Sequence, residues 1–427
     1  MTRKISSLTP LVRFLGVVAG LILVAGCGGG GSSSSSSSST TTPPPPTANN
    51  SVDVTVNLGP TGDYVDGLFT SVQVCAPGST TNCVTVPNVL VDTGSSGLRL
   101  LSGELSGLSL PAVTDSSGND VQECVQFLSL AYIWGPVAQA DIHLAGETAS
   151  SAAIHIISES PQYAVPPSCL TLGSNGAVDY NTLSALGANG ILGVANYAQD
   201  CSMPGCNQAS NGVPQYYVCP SGNCQFATFS SSGIVTNPVS LFSQDNNGVL
   251  ISLPTIPAGG QATASGSLIF GIGTQSNNAL GSATIYAVDN ASYFTTTYNG
   301  TQYSNSFIDS GSNALYFLDH TTLGINDCAD ASGFYCPTTP GPLSFTVTNT
   351  GTNGAKGSIT FSIENADGLF QTGYAAFNDL GGDSGTGLLT DYFDFGIPFF
   401  FGRNVFVGIA GKTVPNGVSA PYGYWAY

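Results

Sequence analysis

Two stretches of this chain decide how the rest is read: Val89-Leu90-Val91-Asp92-Thr93-Gly94-Ser95-Ser96 and Ser306-Phe307-Ile308-Asp309-Ser310-Gly311-Ser312-Asn313. In each, an apolar run of strand formers delivers an aspartate at its end, a hydroxyl residue follows, and a glycine lets the backbone turn tightly behind the carboxylate. A single Asp-Thr-Gly is an ordinary turn sequence. Two of them, 309 − 92 = 217 residues apart and each preceded by a matching apolar strand, describe a structural unit used twice with a carboxylate at the end of each copy. A further Asp-Ser-Gly at Asp383-Ser384-Gly385 follows glycines instead of an apolar run and lacks that delivery.

The sequence around these stretches is that of a β protein. Of 427 residues, 42% are hydrophobic and only 7% charged, too apolar for a disordered chain. Lys and Glu are scarce while Gly, Ser, Thr, Asn and Val abound, which starves helices and supplies strands and turns. Val52-Asp53-Val54-Thr55-Val56 and Val137 to Leu144 alternate with period two, as half-buried strands do. Helix is expected only briefly, around Leu183 to Leu186. The apolar runs Val89 to Val91, Ile191-Leu192 and Phe399 to Phe401 read as strands covered on both faces. Three of the seven cations lie before residue 27, so the remainder sets four cations against all 25 acids, a formal −21. That balance excludes a nucleic-acid platform, which needs Lys and Arg against phosphate.

The first 26 residues read as an export signal: Arg3, Lys4 and Arg13 precede an apolar run from Phe14 to Gly26 that is too short to span a bilayer. Its end, Val24-Ala25-Gly26-Cys27, resembles the lipobox of bacterial lipoproteins, which implies that Cys27 is lipidated and becomes the new N-terminus. Gly28 after that cysteine resembles the sorting signature for the outer membrane. Gly28 to Gly31, Ser32 to Ser39, Thr40 to Thr42 and Pro43 to Pro46 form a spacer with nothing to bury. The expected organisation is a signal (1–26), a lipidated tether (27–50) and two β lobes (51–235 and 236–427). Setting Cys27 aside leaves ten cysteines in an oxidising compartment, where a disulfide framework is the expectation. Cys75 pairs locally with Cys83 and Cys328 with Cys336, and Cys124 is left for Cys169. Cys201, Cys206, Cys219 and Cys224 pair as neighbours or nested, or hold zinc as four thiolates.

The doubled Asp stretches resemble the catalytic loops of the pepsin-type, two-lobed aspartic peptidases. Three further segments resemble that family in the same order: Asn189-Gly190-Ile191-Leu192-Gly193-Val194-Ala195 is similar to the segment threading behind the first loop, Phe400-Phe401-Gly402 to its counterpart behind the second, and Gly266 to Gly271 to the strand opening the C-terminal lobe. More narrowly, the chain resembles a group of exported proteobacterial lipoproteins with pepsin-like halves. The resemblance implies an all-β, bilobal fold around a cleft and a monomeric endopeptidase without cofactor or metal. Asp92 and Asp309 would share a proton and activate a water, in an order left open. Thr93, Gly94, Ser310 and Gly311 would shape the two loops, with Ser95 and Ser312 hydrogen-bonding the carboxylates. It also implies a hairpin flap with an aromatic hydroxyl, for which Tyr132 and then Trp134 are the candidates, beside a Gly135-Pro136 turn. Arg99 stands where the family carries an aromatic residue supporting that flap. The expected partners are a peptide or protein substrate, and a membrane through the lipid alone. The alternative is a catalytically silent pepsin-fold surface protein that binds a peptide or an envelope partner.

Gly382-Asp383-Ser384-Gly385 resembles the nucleophile tetrapeptide of chymotrypsin-like serine peptidases, whose chemistry needs a histidine base held by a carboxylate. The only histidines are His143, His155 and His320, none in a sequence setting of that kind, so a glycine-rich turn is the preferred reading. His143 and His155 fall in alternating runs and read as structural.

Overall fold

The chain alternates strand and turn because its regular segments are rich in β-branched, aromatic and aliphatic residues and are separated by Gly, Pro and Asn. A computed structural model describes residues 49–171, 176–201, 215–229, 233–339, 341–384 and 392–427. The leader, Cys27 and the spacer lie outside these. Ser51–Asn57 and Ala131–Leu144 are strands where alternation predicts them, and Leu183–Leu186 is a single helical turn capped by the Thr182 hydroxyl, which accepts from Ala185 N. No helix among the described residues exceeds the five residues of Ala366–Phe370, and none is long and apolar enough to cross a membrane.

The described residues form one compact unit that is all-β and bilobal. Its halves repeat one arrangement. In the first, the strand Cys83–Asp92 runs out to Asp92, the chain returns as Ser96–Leu101, and Gly190–Val194 threads between them, parallel to the first and antiparallel to the second. In the second, Thr301–Ile308 runs out to Asp309, Leu315–Phe317 returns, and Phe393–Phe395 threads between them with the same two polarities. A strand hydrogen-bonded on both edges and packed on both faces must be apolar, which is why Val89, Val91, Leu192, Ile308 and Phe395 are nearly or wholly inaccessible.

The halves share a basal sheet. Ser51–Asn57 pairs with Ala264–Phe270, which pairs with Gly248–Ser252, and the order continues through Asn404–Gly408 and Tyr424–Ala426 to Ile285–Ala287. The Asn196 amide pins the first half onto this sheet by donating to Gly408 O and Tyr424 O, both at 3.0 Å. The core behind the first Asp loop is aliphatic. Behind the second it is aromatic, with Phe317 against Phe345, Phe361 and Phe393 at ring distances of 5.1–5.5 Å.

Two expectations are corrected here. Phe399 to Phe401 is not a buried strand: Pro398 opens the helix Ile397–Phe400, and Phe399, Phe400 and Phe401 are buried beyond the threading strand. The counterpart of Ile191-Leu192-Gly193 is therefore Asp394-Phe395-Gly396, not Phe400-Phe401-Gly402. The disulfides Cys75–Cys83, Cys124–Cys169 and Cys328–Cys336 pair as expected. In the remaining cluster Cys219 joins its neighbour Cys224, and Cys201 is also oxidised, so these thiols are not zinc ligands; Cys206 lies outside the described residues.

Candidate active site

The two Asp loops meet where the halves meet, and they hold each other. Thr93 N donates to Ser310 Oγ (3.1 Å) and Ser310 N to Thr93 Oγ1 (2.9 Å). Each hydroxyl then reaches the backbone of the opposite strand, Thr93 Oγ1 to Ile308 O (3.2 Å) and Ser310 Oγ to Val91 O (2.7 Å). All four bonds are buried, where an unpaired polar group is expensive, so the interlock fixes the loops in one mutual position.

The interlock brings the carboxylates face to face. Asp92 Oδ1 accepts from Gly94 N (2.7 Å) and Ser95 N (3.1 Å), and its Oδ2 accepts from Ser95 Oγ (2.5 Å). Asp309 Oδ1 accepts from Gly311 N (2.7 Å) and, from across the junction, Gly94 N (3.1 Å); its Oδ2 lies 3.0 Å from Ser312 Oγ. A β-carbon on Gly94 would lie 2.6 Å from the Asp309 carboxyl, and one on Gly311 2.8 Å from that of Asp92. Neither glycine has a positive φ, so the tight turn expected from the sequence is not what demands them. They are glycines because the opposite carboxylate occupies the space a side chain would need.

Part of Asp309 reaches solvent, yet its carboxyl group sits deep among protein atoms. Burial pushes it well above the usual carboxylate range, and the charges of Asp92 and Asp394 and a hydrogen bond shared with Asp92 push the same way. The pair therefore favours keeping a proton at pH values where a free carboxyl has lost its own. Gly94, exposed at the lip of the junction, leaves the pair open to solvent from one side.

Sequence reasoning missed Asp394. It lies on the strand Phe393–Phe395 and is buried, with Oδ2 2.6 Å from the same Ser312 Oγ that bonds Asp309. A pattern search for Asp-Thr/Ser-Gly passes over Phe393-Asp394-Phe395, although an aspartate in an otherwise apolar run is itself a signal. Four tyrosines also gather near the carboxylates. Burial raises the Tyr64 phenol, with Tyr180, Asp92 and Asp309 adding to it; burial likewise raises Tyr316 and Tyr392, and Asp394 adds to both. They stand on separate turns and short strands, so no sequence spacing relates them.

The flap candidates take a different place. The hairpin exists, Val121–Gln126 against Ala131–Leu144, but it turns at Phe127 to Leu130, and Gly135-Pro136 lies inside the second strand. Gly135 is needed there because a β-carbon would meet Ile156 O at 1.9 Å. Tyr132 and Trp134 are buried with Cys124, Cys169 and Tyr217; the Tyr132 hydroxyl donates to Asp179 Oδ2 (2.9 Å) and the Trp134 indole N–H to Tyr163 O (3.2 Å). Arg99 supports the hairpin by charge instead of ring packing. Wholly buried, it reaches Glu123 Oε1 on the hairpin (3.2 Å) and Asp200 Oδ2 (2.8 Å). Burial alone would raise the Glu123 carboxyl, but Arg99 and His155 outweigh it and hold it low. Asp200 is raised, first by burial and then by Glu123, and burial pushes His155 down to about 4.

At the remaining motif, His320 Nδ1 lies 2.8 Å from Asp383 Oδ2 and 3.9 Å from Asp327 Oδ2, a proximity that no spacing announced. Ser384 is buried and its hydroxyl donates to Leu318 O (2.5 Å), so the tetrapeptide does not present a nucleophile; Gly385 lies outside the described residues.

The sequence model of one family, described as a protein of unknown function (DUF3443), matches residues 46–427. The chain is a member of the DUF3443 family. No curated protein matches this DUF3443 protein. Among solved structures, an aspartic proteinase from Irpex lacteus is similar at 14% identity and a TM-score of 0.46, over 88% of this chain and 96% of that one. The fold of the DUF3443 protein rests on the repeated strand threading and the loop interlock described above.

Proposed function

We propose that this protein is an aspartic-type endopeptidase that hydrolyses extended peptides with a water activated between Asp92 and Asp309. The observation that carries this reading is the facing pair of carboxyls, held by the Thr93–Ser310 interlock and bridged by Gly94 N. In this cycle Asp92 acts as the base and takes a proton from the water as the water oxygen attacks the peptide carbonyl carbon, while Asp309 acts as the acid and gives a proton to the carbonyl oxygen. The tetrahedral diol then collapses. Asp92 passes its proton to the amide nitrogen as the C–N bond breaks, and Asp309 recovers a proton from the diol, which restores the starting pair. Gly94 N, bonded to both carboxylates, keeps them in register throughout. In the same proposal the leader exports the chain, Cys27 anchors it by lipid to a bacterial envelope, and the body acts as a monomer.

The test is cleavage of a peptide library by the purified protein between pH 3 and 7, with and without a statin-type mimic of the diol. Cleavage that the mimic blocks, and that Asp92→Asn lowers by about 10³-fold or more, is the expected result. Absence of cleavage, or cleavage that Asp92→Asn spares, overturns the reading. Binding without turnover is the second reading, favoured by the burial of Tyr132 and Trp134; it requires the mimic or a library peptide to bind while no bond is cut.

A further inference from the structure

The halves repeat each other closely enough that a break in the repeat is informative. The threading strand pairs Leu90 with Ile191 in the first half and Phe307 with Asp394 in the second, so Asp394 occupies the station of Ile191. Ile191 packs in an apolar cluster with Leu90 and Val125. Asp394 is as deeply placed, 6% exposed, and among the described residues its Oδ1 has no hydrogen-bond partner. A carboxylate in such a place is costly unless something is done with it. Its one bonded oxygen, Oδ2, shares the Ser312 hydroxyl with Asp309 Oδ2, at 2.6 and 3.0 Å. In the first half the corresponding Ser95 hydroxyl serves Asp92 alone.

A hydroxyl has one hydrogen to give. Between two carboxyls it donates to one and must accept from the other, so the Asp309–Ser312–Asp394 chain holds one proton at one end or the other, and at the Asp309 end it is the proton the catalytic pair uses. With the proton on Asp309, Asp309 donates to Ser312 Oγ, which donates to the Asp394 carboxylate. With it on Asp394 the chain runs the other way, and passage between the states moves one hydrogen across each bond with no net change. Resting on the peptidase reading above, we infer that Asp394 is a positioning residue which acts through Ser312 to keep the proton of the catalytic pair on Asp309, making the second half the acid and the first the base. The groups facing Asp394 are Asp92 and Asp309 on the two loops, Tyr316 on the returning strand and Tyr392 beside it in the chain; none of these is a cation. Burial holds the Asp394 carboxyl well above the usual range, in keeping with a group that shares a proton.

The test reads the proton directly and through turnover. Carboxyl carbon-13 resonances of the full-length protein labelled at aspartate are followed from pH 3 to 9, with Asp309 and Asp394 assigned from Asp309→Asn and Asp394→Asn. In the wild type the two carbons titrate together as a coupled pair. In Asp394→Asn the Asp309 midpoint falls by about one pH unit, because a negative neighbour is gone. The alkaline limb of kcat/KM moves down with it while the acid limb stays. Asp394→Ala, which buries no amide, carries the same expectation where the asparagine variant folds poorly. An Asp309 midpoint unchanged in a folded variant, or independent titration of the two carbons, overturns the inference whether or not peptides are cleaved. Failure to cleave with the carbon shifts as expected overturns only the peptidase reading.

Discussion

Gly94 shows how a residue can be chosen by something far away in the sequence. Its turn is ordinary, and what excludes a side chain is the Asp309 carboxyl from the other half, 215 residues on. Asp92, Thr93 and their partners were legible because the same short pattern occurs twice after the same kind of strand. The reason for each glycine was not, since it depends on a contact the pattern does not contain. Arg99 is the converse case: its position suggested a weakened support, and the structure supplies one from Glu123 and Asp200, which no local signal connects to it. Removing Glu123 leaves the buried guanidinium with Asp200 as its remaining carboxylate partner. Glu123→Gln is expected to destabilise the fold by about 3–5 kcal/mol, measured by denaturant titration, whereas Glu104→Gln on an open surface turn is expected to change it by less than about 0.5 kcal/mol.

Elements were legible where the hydrophobic period is clean. The strands Ser51–Asn57 and Ala131–Leu144 follow their alternation, and the helical turn Leu183–Leu186 follows its apolar spacing. The errors fall where composition and local geometry disagree. Gly135-Pro136 has turn composition but lies in a strand, because Ile156 O approaches too closely for any other residue at 135. Phe399-Phe400-Phe401 has strand composition but begins as helix, because Pro398 and the turn at Gly396 set its backbone. The hairpin Val121–Gln126 with Ala131–Leu144 is clamped within its first strand by Cys124–Cys169, a bridge closing 45 residues. Replacing both cysteines by alanine is expected to lower stability by about 2–4 kcal/mol, seen as a lower melting temperature, with hydrogen exchange rising first in this hairpin. Uniform exchange throughout the body would show that the bridge does not act locally.

Over the whole molecule, acidity is stored inside as well as displayed outside. Asp66, Asp200, Asp309, Asp379 and Asp394 all have raised carboxyls, burial being the first cause in each. Such groups keep protons in the folded state that the unfolded chain releases above about pH 4, so their contribution to stability is full below that value and is lost as pH rises through the raised midpoints. His155 works in the opposite sense: its contribution is full above about pH 6.5 and is lost as pH falls through about 4. The carboxyls outnumber it, and the excess of anions adds repulsion at neutral pH. The melting temperature is therefore expected to rise as pH is lowered from 8 to about 5 and to fall below about 4, as His155 becomes charged and Glu123 becomes neutral; calorimetry across this range checks it, and a maximum near pH 8 would contradict it.

The interlock of Thr93 and Ser310 also has a meaning in time. A chain growing on the ribosome carries Asp92 long before it carries Asp309, and Phe393–Phe395, which must thread behind Asp309, comes later still. Until then Asp92 is an isolated acid on an unfinished half, without the neighbour that makes a carboxyl pair reactive. On the proposed reading the pair is assembled only when the second half is complete, because the interlock needs both loops.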